Sequence, residues 1–239
     1  MIKKTGKLTI SRRKLLAYAP IISFIPYMAS SFFPLKLFAM SKRADFNGFY
    51  VVKGEVLHNG KEAQKGDPLK AGDKVITGER SKAIIISGNS AFLIKDNSEV
   101  EFPKPVSEDV TDQVIREIKI LSGKLLSVFG KGKRRISTST AVIGVRGTGI
   151  YVESSGTLTY VCTCYGTVDI APKDQPDLVK TVRADHHDKP LFVRKTGKKG
   201  PFENAGMMNH SDSELIELEF LLGRRPPFYD PSNPDHEYS

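Results

Sequence analysis

The chain has 239 residues, 39% of them hydrophobic, with 36 basic and 27 acidic side chains and a formal charge of +9. That length holds one domain of ordinary size with extensions, and the composition excludes both a disordered chain and a multi-span membrane protein. Lys3, Lys4, Lys7, Arg12, Arg13, Lys14 and Lys36 place +7 of that charge in residues 1–41, which hold no acid, leaving +2 for residues 42–239. The body of the protein is not strongly basic, which removes the electrostatic case for nucleic acid as a partner.

Residues 1–41 read as an export leader. Ser11-Arg12-Arg13-Lys14-Leu15-Leu16 opens an uncharged run from Leu15 to Leu35, and Ala39-Met40-Ser41 sets small residues two apart, as a signal peptidase site requires. The Ser-Arg-Arg-x-Leu-Leu pattern resembles the twin-arginine address of bacteria. An uncleaved membrane anchor is the alternative, since about 20 apolar residues suffice to span a bilayer. Pro20, Pro26 and Pro34 weigh against a continuous spanning helix, because each removes a backbone donor. The expected location is periplasmic or otherwise extracytoplasmic, anchored to the inner membrane if the leader is retained.

From residue 48 onward, short strands alternate with turns. Phe49–Leu57 runs into Asn59-Gly60, a hairpin signal because both residues tolerate positive φ. Ala83–Ile86, Phe92–Lys95 and Glu99–Phe102 are apolar or alternating runs, punctuated by Gly88-Asn89 and Asp96-Asn97. Phe102–Gln113, with two prolines and three acids, predicts an exposed loop. Ile115–Leu121, Leu125–Phe129, Ile136–Thr140 and Gly149–Glu153 continue the pattern, and Thr157–Tyr165 is a clear strand rich in Thr, Tyr and Val. Thr167–Ile170, Val179–Val182 and Leu191–Arg194 complete it. This spacing predicts an all-β domain over 48–196, either a short β-solenoid or a sandwich-like fold.

Residues 197–239 hold a linker, one helix and a Pro-rich tail. Ser211-Asp212-Ser213-Glu214 is a capping box, and Leu215, Leu218 and Leu222 share a face. Gly223 supplies the stop and Pro226-Pro227 forbids continuation. That apolar face is expected to dock on the β domain, with binding of a partner as the alternative.

Eight segments then occur in a telling order. They are Gly54-Glu55-Val56, Gly66-Asp67-Pro68-Leu69, Ala71-Gly72-Asp73, Val75-Ile76-Thr77-Gly78, Gly123-Lys124, Thr140-Ala141-Val142, Val145-Arg146-Gly147-Thr148 and Tyr165-Gly166-Thr167-Val168. In that order they resemble the FecR domain family over Gly54 to Ile170, about half the chain. The resemblance implies an all-β, solenoid- or sandwich-like extracytoplasmic module. The best-known members of that family relay a ferric-siderophore signal through the membrane to a sigma factor, using a cytoplasmic segment ahead of their membrane helix. Here about fourteen residues precede the apolar run, and there is no Trp. The expectation is a non-enzymatic sensing or scaffold module that binds an envelope protein, a ligand or a polysaccharide, rather than a regulator of a sigma factor.

Cys162 and Cys164 are the only cysteines. At i and i+2 on a predicted strand, both thiols point to one face. Their Cα atoms would lie about 6.6 Å apart at strand rise, near the limit for a disulfide, so a bridge would be strained. Three states are open: free core thiols, a strained disulfide, or metal ligands. In an oxidising compartment two adjacent unpaired thiols are hard to keep. Asp185-His186-His187-Asp188 offers imidazoles with carboxylates to orient them. Adjacent histidines on a strand face opposite ways, so a turn at Asp188-Lys189-Pro190 is needed to bring both to the cysteines. The expected metal set is Cys162, Cys164, His186 and His187, which suits zinc, copper or iron, with plain loop histidines as the alternative. Twin-arginine export moves folded proteins, so such a site could be loaded in the cytoplasm.

Arg146 reads as half-buried and tied to backbone carbonyls, with Gly147 and Gly149 allowing close strand approach. A carboxylate or phosphate ligand is its alternative role. The basic runs Lys131–Arg135 and Lys195–Lys199 read as solvated turns. No Ser–His–Asp spacing, phosphate-cradling Gly loop or carboxylate pair supports catalysis.

Overall fold

The computed structural model describes residues 46–104, 115–195 and 200–232. The leader, the acidic part of the predicted loop at 102–113, most of the basic run at 195–199 and the end of the tail lie outside the described residues. Fifteen strands and one helix are found among them. In chain order the strands are β1 (Gly48–Lys53), β2 (Val56–His58), β3 (Lys61–Glu62), β4 (Lys74–Thr77), β5 (Lys82–Ser87), β6 (Ser90–Ile94), β7 (Ser98–Glu101) and β8 (Glu117–Val128). There follow β9 (Lys133–Ser137), β10 (Ala141–Arg146), β11 (Gly149–Ser154), β12 (Leu158–Pro172), β13 (Lys180–Ala184), β14 (Leu191–Arg194), β15 (Phe202–Asn204) and the helix α1 (Asp212–Leu221). The fold is all-β with one C-terminal helix, and β8, β11, β12, β10 and β9 pair in a closed ring that gives it a barrel-like arrangement. Its strand pairs are antiparallel except for β8 beside β9.

Two sheets share two long strands. Sheet A runs β1-β5-β6-β8-β11-β12-β14-β15. Sheet B runs β3-β2-β4-β7-β8-β9-β10-β12-β13. In β8, Ser122 pairs with Glu99 in sheet B, while the next residue, Gly123, pairs with Ser154 in sheet A. In β12, Tyr165 pairs with Gly149 in sheet A and Gly166 with Ala184 in sheet B. The sequence pattern separates Ile115–Leu121 from Leu125–Phe129, and Thr157–Tyr165 from Thr167–Ile170, treating the intervening glycines as breaks. They are corners instead, carrying a continuous strand from one sheet to the other. Gly123 and Gly166 have φ of +89° and +92°, a region open to glycine at little cost. At Gly123 a Cβ would lie 2.4 Å from the Ser98 Cα, and at Gly166 it would lie 2.3 Å from the Thr148 Cγ2. Phe49–Leu57, expected as one strand, is likewise divided at Gly54 into β1 and β2.

The core between the sheets gathers Phe49, Val75, Ile85, Phe92, Ile120, Leu125, Ile143, Val152, Val161 and Val168 with their neighbours. Strands of sheet B alternate buried and half-exposed residues, as in β4 and β7, because their other face meets water. Sheet A differs: β6 is buried at every position, and β5 at all but its first residue. Its outer face carries a second apolar cluster of Ile84, Ile86, Leu93, Leu126, Val128, Tyr151, Tyr160, Cys162, Cys164 and Tyr165, which Leu215 and Leu218 of α1 complete. The unbroken apolar runs Ala83–Ile86 and Ala91–Ile94 thus have a cause, since both faces of these strands are covered.

The helix is built as its sequence predicts. Ser211 caps it, and Glu214 closes the box back onto the Ser211 backbone. Lys95, just after β6, pairs with Glu214 at 2.7 Å and donates to the Asn209 carbonyl at 2.8 Å. Arg146 departs from expectation. Its side chain is 66% exposed and pairs with the Asp169 carboxylate at 2.7 Å, not with backbone carbonyls, because β10 ends there on the solvent side of sheet B. Gly149 does allow close packing: a Cβ there would meet the Tyr165 ring at 2.4 Å.

The corners make a stability prediction. Gly123→Ala adds a left-handed backbone penalty of about 1–2 kcal/mol and overpacking of about 1–3 kcal/mol, so urea unfolding is expected to show a loss of roughly 2–5 kcal/mol. Gly60→Ala, also at positive φ but with open space around it, is expected to lose no more than the backbone penalty. Equal losses at the two sites would remove the packing role assigned to the corner.

Candidate metal centre

Four donor atoms converge on the outer face of sheet A, beneath the start of α1. Cys162 and Cys164 project from β12 on the same side, are fully buried, and are not bridged. After β13 the chain turns through Asp185–Asp188, a turn fixed by the Asp188 carboxylate accepting from the Asp185 N–H at 2.8 Å. His187 takes a left-handed conformation there, φ +51°. Its N–H donates to the Cys164 carbonyl at 3.0 Å, which pins the turn over the cysteine strand. The fourth donor, His210, immediately precedes the helix cap. Its ring stacks on Tyr151 at 4.5 Å and 11°.

The distances define the cluster. Cys162 Sγ lies 3.3 Å from His187 Nδ1, Cys164 Sγ 3.5 Å from His210 Nε2, and the two ring nitrogens 3.1 Å from each other. All four donor atoms lie within 4.8 Å of one another. Metal bonds of roughly 2.3 Å to sulfur and 2.05 Å to nitrogen at a tetrahedral angle require sulfur–nitrogen edges of about 3.5 Å and nitrogen–nitrogen edges of about 3.3 Å. The observed edges are close to these values.

The opposite ring nitrogens decide what the inward ones carry. His187 Nε2 meets the buried Asp212 carboxylate at 2.9 Å, and His210 Nδ1 meets the Met208 carbonyl at 2.8 Å. Both partners are pure acceptors, so both outer nitrogens are assigned as N–H donors. The neutral rings then turn two lone pairs toward each other at 3.1 Å, which is repulsive unless a cation lies between them. Protons are one solution. The Cys164 thiol and then the His187 and His210 rings favour the Cys162 thiolate against the cost of burial and hold its pKa at about 4. Burial, then the hydrogen bond to Cys162, pushes Cys164 up. Burial opposes charge on His187, but the neighbouring Cys162 and Asp212 outweigh it and raise that group. A metal ion is the other solution, and it satisfies all four donors at once.

Of the residues expected as ligands, the structure brings Cys162, Cys164 and His187 together. His186 sits elsewhere: its Nε2 lies 2.9 Å from both oxygens of Asp212, and its ring packs on Phe228 at 4.3 Å. The two rings pack edge to face at 4.7 Å, but the left-handed turn at His187 aims only its own ring at the sulfurs. His210 is missed by sequence reasoning because it stands 46 residues beyond Cys164 and belongs to the helix approach. Its signal is its rarity, as one of five histidines, placed directly ahead of a capping box. Asp212, 3% exposed, orients His187 from the first turn of α1, where the helix dipole favours a carboxylate.

The basic run Lys131–Arg135 is not only a turn. Its residues Lys133, Arg134 and Arg135 border, with Arg116 and Arg146, a shallow cleft of about 320 Å³ on sheet B, where Asp169 is the one acid among the lining residues. Among the described residues no helix is long and apolar enough to cross a membrane.

The molecule is thus a double-sheet β protein with a buried Cys₂His₂ cluster under its terminal helix. Residues 73–169 match the family model described as FecR protein, so the chain contains a FecR-like domain. The match takes in both cysteines and stops before His187, His210 and Asp212. Two crystal structures of a candidate anti-sigma factor from Parabacteroides distasonis are similar to this chain, at 13% and 14% identity. Each covers 62% of this chain with a TM-score of 0.44, over 74% and 73% of its own length. No curated protein matches the chain.

Proposed function

We propose that the protein is an exported, non-catalytic sensing or regulatory module of the bacterial envelope, and that its centre binds a transition metal through Cys162, Cys164, His187 and His210. The convergence of two sulfurs and two imidazole nitrogens within 4.8 Å, with three of their six edges at tetrahedral lengths, carries this assignment. The FecR-like domain supports the regulatory role. The basic leader with its paired arginines and uncharged run supports export, and export of a folded chain allows loading beforehand. Its partner is an envelope protein, ligand or polysaccharide.

A second chemistry shares some of the same atoms. Cys162, His187 and Asp212 stand in line, like a nucleophile, its base and the base's orienting group. Cys162 is 0% exposed beneath α1, and a nucleophile must meet its substrate, so the metal assignment is favoured.

Elemental analysis of natively exported protein is expected to find one transition metal per chain, and Cys162→Ser to lower that content more than tenfold. Metal-free protein with two freely titrating thiols would overturn the assignment. Replacing Arg12 and Arg13 by Lys is expected to hold the chain in the cytoplasm on fractionation. Undiminished export of that variant would remove the twin-arginine route.

A further inference from the structure

The four ligands come from three separate places in the chain, and this division says what the metal does. Cys162 and Cys164 belong to sheet A and His187 to the turn pinned beside it, so three ligands are fixed to the β domain. His210 alone belongs to the C-terminal segment. That segment crosses sheet A by a few hydrogen bonds. Tyr160 donates its hydroxyl proton to the Gly206 carbonyl at 2.9 Å and accepts from the Met208 N–H at 3.2 Å. Asn209 donates to Glu153 at 2.8 Å. Beyond it, Leu215 and Leu218 close the apolar face of Tyr151, Leu126 and Leu93. His210 is the link through which a metal would join that segment covalently to the sheet.

Building on the metal assignment above, we infer that the centre is a closed, four-coordinate zinc site acting as a clasp: it fastens residues 205–222 over sheet A, and loss of the ion frees them. Several observations converge on zinc and on a fastening role. Two sulfurs and two imidazoles at tetrahedral edges are the donor set and shape of structural zinc. Protein donors fill all four positions and the cluster is buried, so no coordination position is left for substrate or water, unlike a catalytic centre. Each imidazole is held by an acceptor on its far nitrogen, as metal-binding histidines are. Both acceptors, Asp212 and the Met208 carbonyl, lie in the C-terminal segment. The segment therefore supplies one ligand directly and orients a second, which makes site and segment mutually dependent. With neither an ion nor a proton between them the inward nitrogens oppose each other at 3.1 Å, and withdrawing His210 with its segment relieves that repulsion.

The test compares zinc-loaded wild-type protein with the same protein stripped by a chelator, using amide hydrogen exchange. Residues 205–222 are expected to exchange at least tenfold faster in the stripped form, with β6 and β8 changed less than twofold, and added zinc is expected to restore protection. Cobalt loading is expected to give the intense visible bands of a four-coordinate ion with thiolate ligands. His210→Ala should lose those bands and speed exchange of residues 205–222 with zinc present. His186→Ala, whose ring lies outside the four-atom set, should keep the cobalt bands. Asp212→Asn should weaken zinc binding by about 10–100-fold. Zinc bound with unchanged exchange of residues 205–222, or cobalt bands unaltered in His210→Ala, would overturn the clasp while leaving metal binding intact. Absence of any bound metal would overturn the metal assignment and the clasp together.

Discussion

Two long strands that each belong to both sheets hold this fold together, and a glycine at each crossing makes that membership possible. The corner at Gly166 lies two residues past Cys164. Up to Tyr165 the strand is part of sheet A, so Cys162 and Cys164 face outward there. From Gly166 it runs in sheet B and pairs with β13, and the register returns the chain to its start, since Ala184 lies opposite Gly166. Three residues later the His187 N–H reaches the Cys164 carbonyl. The excursion through sheet B thus ends where it began, and the corner that joins the sheets also places an imidazole over the thiols. A side chain at Gly166 would meet Thr148 and disturb both at once.

The outer face of sheet A would be a large apolar surface if left open, bearing Ile84, Leu93, Leu126, Tyr151 and Tyr160. Patches of that kind on a soluble protein are normally covered or used. Here α1 covers it. A helix of ten residues is shorter than the roughly 12–15 at which isolated helices become even marginal, so its order comes from the face it buries and from its ties to neighbours. Those ties include Lys95 to Glu214, and Glu219, which accepts from both the Tyr165 hydroxyl and Arg224. Burial pushes the Tyr165 hydroxyl well above its ordinary range, and the Glu219 charge adds to this, so Tyr165 stays a neutral donor to that carboxylate.

Much of this is legible in residue patterns, for local reasons. Alternation marks the strands of sheet B because one of their faces meets water, and the Ser211–Glu214 box marks α1 because capping is a matter of four consecutive residues. The spacing of Cys162 and Cys164 places both thiols on one face because a strand has a period of two. What depends on distant pairing is not legible. Gly123 and Gly166 look like breaks because nothing nearby shows that the ladder continues on another sheet. His186 and His187 look equivalent until the left-handed turn at His187 divides them. His210 comes beside the thiols only once the segment leading into α1 is known to lie across β12, a placement set by apolar faces more than fifty residues apart.

The charge balance of the cluster bears on why the site is closed. Two thiolates cancel the charge of a divalent ion, so a Cys₂His₂ shell is neutral overall and can sit in an apolar layer at little desolvation cost. The same layer is costly for the buried ion pair of a metal-free thiolate and imidazolium, whose desolvation their attraction only partly offsets. Asp212 adds a buried negative charge beside the shell, and it is met by the amino end of α1 and by His186 as well as by the His187 ring. Structural zinc contributes roughly 10–16 kcal/mol in small peptides, as much as the whole stability of a typical domain, about 5–15 kcal/mol. With three ligands fixed to the sheet and one on the segment, the proposed zinc would direct a large part of that energy to the docking of residues 205–222. In the proposed clasp, the ion that neutralises the centre would thereby decide whether sheet A has one covered face or two.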